Sequence, residues 1–341
     1  MGKTSYLKQR PFGFIYYRFM AVGCVLLLCL PLLPGWTGDK GLISAYRLFN
    51  LTMLGVWLLI TLSLNLLVGY SGQVSLGQAA LVLCGAYLTA VFRQQWNIPL
   101  LLALGLTGSV TGLMGGTFIG LPAVRLRGPY LGIVTFALAV ALPQLLKLQP
   151  LTPWTQGVSG IHWTPLYLPT ALIGRFTGEQ IRYAIILFLT VVLTTGFRNL
   201  LESRLGRAFV ALREDELAAA YMGIDVRLHK AFAFGVSAFY AGIGGGLFFV
   251  VQGYVSPDSL GVFDSILLLV AVVIGGLGSL AGSLYGALFL TFHSELISTL
   301  THWLPHAENS GSLLLGVLLV LSGFIFPQGI AGFVRTVYPG K

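Results

Sequence analysis

Between Arg47 and Arg93 the chain runs for 45 residues without a charged side chain. A water-soluble domain carries roughly one charged residue in four, so a gap of this length has no aqueous surface to supply. The same holds elsewhere. Arg18 to Asp39 encloses 20 uncharged residues, Arg93 to Arg125 31, Arg127 to Lys147 19, and Arg182 to Arg198 15. Lys230 to Asp258 encloses 27, Asp264 to Glu295 30, and Glu308 to Arg335 26. A helix crosses the hydrocarbon core with about 20 apolar residues. Strands of a membrane barrel would be shorter and would alternate polar with apolar, so helices are the fit. With 56% hydrophobic and 9% charged residues, the chain is neither an ordinary cytosolic enzyme, nor disordered, nor a nucleic-acid binder.

The 45-residue gap holds two segments, broken at Gly69-Tyr70-Ser71-Gly72-Gln73. The stretch after Lys147 is rich in Pro, Thr, Ser and Gln with Trp154 and Trp163, and reads as a loop over 149–180. The gap after Asp264 is interrupted by the Gly275–Gly282 run and reads as two short or broken helices. The expected fold is therefore all-α and integral to the membrane, with about ten transmembrane helices, or nine if that last stretch is one kinked helix. With the N-terminus inside, 14 basic residues fall on the cytoplasmic side and six outside, the expected excess. Both termini are then cytoplasmic, 149–180 is extracytoplasmic, and 1–341 is a single transmembrane domain. The net charge of +9 is mostly this orientation signal. The run Phe19–Leu33 follows basic residues but lacks a small-x-small cleavage site, which favours an uncleaved first span.

Several motifs carry no chemistry. Gly2-Lys3-Thr4 lacks the strand and upstream glycine of a phosphate loop, and Gly276-x-Gly278-x-x-Ala281 lies inside an apolar run without the strand–turn–helix context of a dinucleotide site. Cys24, Cys29 and Cys84 have neither disulfide nor metal spacing. No catalytic residue, metal site or cofactor site is expected on this chain. Gly108, Gly112, Gly116 and Gly120 recur every four residues, as do Gly278, Gly282 and Gly286, which suits one face of a tightly packed helix.

Eleven of the 31 formal charges crowd into Arg198–Lys230. Within it, Arg207–Met222 (RAFVALREDELAAAYM) reads as one helix stopped by Gly223. It is too short and polar to span, and its acidic cluster beside small residues suits docking to a partner. The segment Ser203–Gly223, with Glu216, Ala218, Ala219 and Gly223, resembles the coupling loop of ATP-binding-cassette importer permeases. More specifically it is similar to the branched-chain amino-acid permease family, in the type usually paired with a second, shorter permease. Gly69–Tyr87, Arg125–Ala139, Tyr254–Gly286 and Phe326–Gly332 follow in the family's order. One departure is Gln156-Gly157, where the family usually has Gly-Gly.

The resemblance implies a permease subunit of a prokaryotic inner membrane, multi-pass, with a second permease, two cytoplasmic ATPases carrying the ATP, and an extracytoplasmic solute-binding protein. The 198–230 segment is then the cytoplasmic coupling loop, with Arg207, Arg213, Glu214, Glu216, Ala219 and Gly223 as ATPase-coupling candidates. Glu216 is expected to make the polar contact or cap, and Ala219 and Gly223 to permit close approach. Ser71, Gln73, Ser75 and Gln78 interrupt two apolar spans and are the candidate pathway residues; a plain cytoplasmic turn with a helix cap at Ser75 is the competing reading. The solute is a branched-chain amino acid, or urea or an amide as in relatives sharing these motifs. An ion-coupled secondary transporter is the alternative, but such proteins place ionisable residues mid-membrane, where this chain has almost none.

Overall fold

The computed structural model describes residues 44–123, 129–163, 178–303, 316 and 329–337. The expected first span lies outside these, as does most of the last. The first described helix, α1 (Ala45–Asn65), starts at Ser44, whose hydroxyl accepts from the Arg47 amide at 3.4 Å. Its end widens into a π-helical turn over Leu66–Tyr70. After an irregular stretch comes α2 (Gln78–Gln94), then α3 (Leu100–Met114), which continues through a π-helical Gly115–Gly120 to Ala123. Next is α4 (Pro129–Leu146), which bends by 67° into short helical turns over Gln149–Thr155. The long α5 (Gly178–Glu202) leads to α6 (Arg204–Glu214), α7 (Glu216–Tyr221) and α8 (Val226–Gln252). Two apolar helices, α9 (Val262–Gly275) and α10 (Leu280–Trp303), and the short α11 (Gly329–Val337) complete the set.

Among the described residues, four helices are long and apolar enough to cross a membrane: Ala45–Tyr70, Leu100–Ala123, Gly178–Glu202 and Val226–Gln252. The bent segment after Tyr130 makes a fifth if counted as one span. The 30-residue gap after Asp264 is two helices, α9 and α10, broken at Gly276–Ser279. Large apolar side chains face outward on α3 (Leu101, Leu102, Leu113, Phe118), α4 (Ile133, Val140) and α5 (Phe188). In water this surface would drive aggregation, whereas in a bilayer it is the ordinary lipid face.

At the centre is α8, packed on α1, α2 and α3. Its Gly242–Gly246 stretch is nearly free of side chains and fully buried. A Cβ at Gly245 would overlap the Val82 carbonyl, and one at Gly85 the Gly242 carbonyl, so α2 and α8 touch backbone to backbone. The glycines of α3 lie along the same helix: Cβ atoms at Gly108 and Gly120 would approach Ile243 Cγ1 to 2.7 Å and Ala231 Cα to 2.8 Å, and Gly112 and Gly116 abut Gly235. Between α9 and α10, Gly282 presses on the Gly276 carbonyl, and Gly286 would meet the Ala271 carbonyl at 2.6 Å. Gly278 departs from its expected place on that helix face. It precedes α10, in the loop, with φ of +69°.

The helix ends sort into two sets. At one end Lys147 Nζ pairs with Asp258 Oδ1 at 2.7 Å, Asn50 Nδ2 donates to Glu295 Oε1 at 3.1 Å, and Gln95 Nε2 donates to the Pro153 carbonyl at 3.0 Å. The same end carries a two-residue antiparallel ribbon of β1 (Ile161–His162) and β2 (Tyr254–Val255). At the opposite end lie α6, α7 and both chain breaks. Asp264 accepts from the Gly261 amide at 2.7 Å and so caps the start of α9, next to Ser265, whose Oγ meets the Ala79 amide of α2.

At Gln156 the backbone is left-handed, with φ of +56° and ψ of +17°. A residue with a Cβ is strained there by about 1–2 kcal/mol, which accounts for the glycine that the resembled family places at this point. Replacing Gln156 with Gly raises stability by up to about 1 kcal/mol after the entropic cost of glycine, read as a higher Tm in detergent. Adding a methyl group at the α2–α8 seam, in Gly245→Ala, costs about 1–3 kcal/mol by overpacking. Gly105→Ala, where a Cβ meets nothing within 4 Å, leaves the same melting curve unchanged or slightly higher.

Candidate functional site

The segment expected as one helix, Arg207–Met222, is two. Asp215 is extended (φ −159°, ψ 114°) and breaks it. Its carboxylate accepts from the Leu217 and Ala218 amides at 2.8 and 3.1 Å, capping α7. The physical reason is local: an aspartate offers the backbone a cap that competes with continuing the helix. α7 ends with the Gly223 and Ile224 amides bonded to the Ala220 and Ala219 carbonyls, a left-handed C-terminal closure. Gly223 has φ of +84° and open space around it, so the backbone conformation at this turn itself favours glycine. Asp225 then caps α8 by accepting from the Arg227 and Leu228 amides.

The candidate side chains of this helix pair point in different directions. Glu216 was expected to supply a polar contact or cap, but the cap is Asp215. Glu216 Oε1 instead turns back on Lys230 Nζ of α8, 2.5 Å away, where the lysine side chain is 7% exposed. Ala219 is buried, while Arg207 and Glu214 are exposed and Arg207 Nη1 donates to the Glu202 carbonyl at 2.9 Å. Leu217, Tyr221 and Met222 project outward, at 67%, 90% and 85% exposure. Arg213 is also exposed, but its Nη1 donates to the Gly69 carbonyl at the end of the π-turn.

The pathway candidates form the lining of the first break. Along 71–78 burial alternates: Ser71, Gln73 and Ser75 are buried while Val74 is 42% exposed. This is an extended segment with its polar side turned into protein and its apolar side out, the arrangement membrane-depth backbone requires. Ser75 does not cap α2. The helix begins after Gly77, and neighbouring helices meet the amides around its start: Leu76 N, just before the cap, by Thr135 Oγ1 of α4 at 2.9 Å, and Ala79 N by Ser265 Oγ of α9 at 3.1 Å. Gln78, fully buried, donates to Ser63 Oγ at 2.6 Å and Ser237 Oγ at 3.3 Å. Ser237 lies 11 residues into α8 (226 to 237), about 16 Å along its axis. The break thus climbs from the α6 end to well inside the bundle. Among the described residues, Gln73 Oε1 and Gln78 Oε1 are buried without a hydrogen-bond partner.

Charge spacing alone missed the neutral polar residues that hold this region together. Asn65 is one: its Nδ2 donates to the Ser279 carbonyl at 2.9 Å and Ser283 Oγ at 2.7 Å, and its Oδ1 accepts from the Gly278 amide at 2.9 Å. Thr61 Oγ1 adds a bond to the Ser283 carbonyl at 2.9 Å. The signal for Asn65 was a single amide inside a long apolar run. No group of three His, Cys, Asp or Glu among the described residues could hold a metal ion.

Long apolar helices with two chain breaks and an exposed helix pair at one end mark the class: a multi-pass membrane protein. The chain belongs to the family described as branched-chain amino acid transport system / permease component, whose model matches residues 46–323. It is 32% identical over 307 residues to the high-affinity branched-chain amino acid transport system permease protein LivM of Salmonella typhimurium, covering 83% of this chain and 69% of the relative. The corresponding LivM of Escherichia coli is 32% identical over 303 residues. The LivH permease protein of Escherichia coli is 26% identical over 309 residues, covering 84% of this chain and 94% of LivH. No solved structure matches the chain.

Glu216→Lys sets two ammonium groups against each other at the foot of α8. It destabilises the chain by about 1–2 kcal/mol, below the fully buried range because Glu216 is half exposed. The exchange Glu216→Lys with Lys230→Glu restores most of that loss in thermal melting, and failure of the exchange to recover any would show that Glu216 acts beyond this pair.

Proposed function

We propose that this chain is one of two membrane permease subunits of an ATP-driven importer for branched-chain amino acids. In this reading the α6–α7 end is cytoplasmic and the ribbon end extracytoplasmic, in a prokaryotic inner membrane, with about ten spans and both termini inside. Two ATPase subunits on the cytoplasmic side hydrolyse ATP, a solute-binding protein delivers the solute from outside, and this chain binds no cofactor. The observation that carries the reading is the exposed apolar tip of Leu217, Tyr221 and Met222 on a charged helix pair whose other side grips the first broken span. A short helix of this kind seats in a cleft of a partner, and partner closure then biases a two-state element. The relatives named LivM and LivH are of both permease kinds, which supports a pairing of unlike subunits.

In this scheme Ser71, Gln73, Ser75 and Gln78 line the route. The partnerless buried amide oxygens of Gln73 and Gln78 are acceptors and suit an ammonium-bearing solute more than a plain anion.

The test is uptake of labelled leucine, isoleucine and valine by vesicles holding the whole transporter. Uptake requires ATP and survives a protonophore; uptake that persists without ATP and collapses with the protonophore overturns the reading. Transport of urea or amides in place of branched-chain amino acids would reassign the solute and leave the coupling intact. Thiol labelling tests the orientation in a variant lacking the native cysteines: Arg204→Cys reacts from the cytoplasmic face and Ser159→Cys from the other.

A further inference from the structure

Two chain breaks that are distant in sequence meet at one point under α6. The carbonyl of Gly69 is among the last of the helix that ends at Tyr70, where no following turn supplies an N–H. The backbone of the second break presses directly on it, since a Cβ at Gly69 would overlap the Gly278 amide nitrogen. Asn65 then ties the two together through Gly278, Ser279 and Ser283. The start of α11 joins them, because a Cβ at Gly329 would stand 2.5 Å from Gly276 Cα.

Arg213 covers this junction from the α6 side. Its Nη1 donates to the Gly69 carbonyl, and a Cβ at Gly278 would lie 2.7 Å from the same nitrogen. Its stem rests on the turn at Gly72, where a Cβ would stand 3.1 Å from Arg213 Cγ and 3.3 Å from Arg213 Cα. The backbone of α6 is thus seated on the first break, and its guanidinium reaches the second. A guanidinium at a helix C-terminus satisfies a free carbonyl and complements the negative end of the dipole. The rest of α6 is anchored by Phe209 and Leu212, both buried. A displacement of α6 therefore acts on both breaks at once through one side chain.

We propose that Arg213 is a positioning residue that locks α6 and α7 to both broken spans, so that the three move as one body. In this role it transmits the push of a partner and does not itself make the partner contact. The proposal rests on the reading of α6 and α7 as the ATPase contact, and it assigns different residues to docking (Leu217 and Tyr221) and to transmission (Arg213 with Asn65).

The experiment uses the complete transporter in nanodiscs and vesicles. Arg213→Ala is expected to keep the ATPase subunits bound through purification and to keep basal ATP hydrolysis, while uptake falls on the order of tenfold, within the range for residues that carry coupling. Asn65→Ala lowers uptake similarly, and the double variant falls no further than the worse single one, as expected for one shared junction. Spin labels at Val74→Cys and Val210→Cys, in a background without the native cysteines, report the mechanics. With Arg213 present their separation is the same in nucleotide-free and vanadate-trapped states; with Arg213→Ala it changes between them. Unchanged uptake in Arg213→Ala overturns the proposal. Loss of the ATPase subunits in that variant also overturns it, by making Arg213 a docking residue. If Arg213→Ala fails to assemble, Arg213→Lys, which keeps the cation but loses the fork, reads the same ratio of uptake to hydrolysis. Failure of the parent reading is seen separately: Leu217→Asp with Tyr221→Ala would then leave the ATPase subunits attached.

Discussion

A peptide N–H or C=O left unpaired in hydrocarbon costs several kcal/mol, and this chain interrupts its helices twice at the α6 end, the first break running on into the bundle. Everything around the breaks follows from that cost. The start of α2 draws hydroxyls from Thr135 on α4 and Ser265 on α9. The start of the second break is held by the amide of Asn65. The end of the first helix is met by a guanidinium from outside the span. Each satisfied group ties one helix to another, so the breaks are also the places where the bundle is cross-linked by polar bonds.

Such cross-links are useful to a transporter only if the rest of the bundle supports them. The seam of α8 against α2 and α3 supplies that support. It is built of backbone contact, with glycines and alanines removing the side chains that would hold helices apart. Packed interiors are stiff and repack between discrete arrangements in preference to bending smoothly. In the proposed mechanism a push delivered to α6 reaches the breaks because this seam is stiff. The outer helices α3, α4 and α5 present Leu, Ile, Val and Phe to lipid, which offers no competing polar partner.

Much of this was legible in the residues. Long uncharged runs marked the spans, the glycine-rich interruptions marked both breaks, and the crowding of charge at 198–230 marked the helix pair. Where the reading went astray, the partners that a fold brings to a side chain or a turn were responsible. Asp215 looked like one member of an acidic cluster and is a helix cap; Glu216 was expected to make a polar contact or cap and is paired with Lys230. Gly278 shared a four-residue spacing with two helical glycines and lies in a turn. Spacing identifies a helix face only where the helix is already known to run, and an uncharged Asn, Ser or Thr leaves no mark on charge spacing.

The sequence by itself determined that the chain lives in a bilayer, which segments are apolar enough to cross it, and where the one dense cluster of charge falls. Those properties depend on local composition, and transfer from water to hydrocarbon is summed residue by residue. Only the tertiary structure decided that Gly69, Gly278 and Arg213, separated by 65 residues or more (213 to 278) and 144 (69 to 213) in the chain, share one point. That juxtaposition arises from packing, because the breaks can be satisfied only by groups that other helices bring to them.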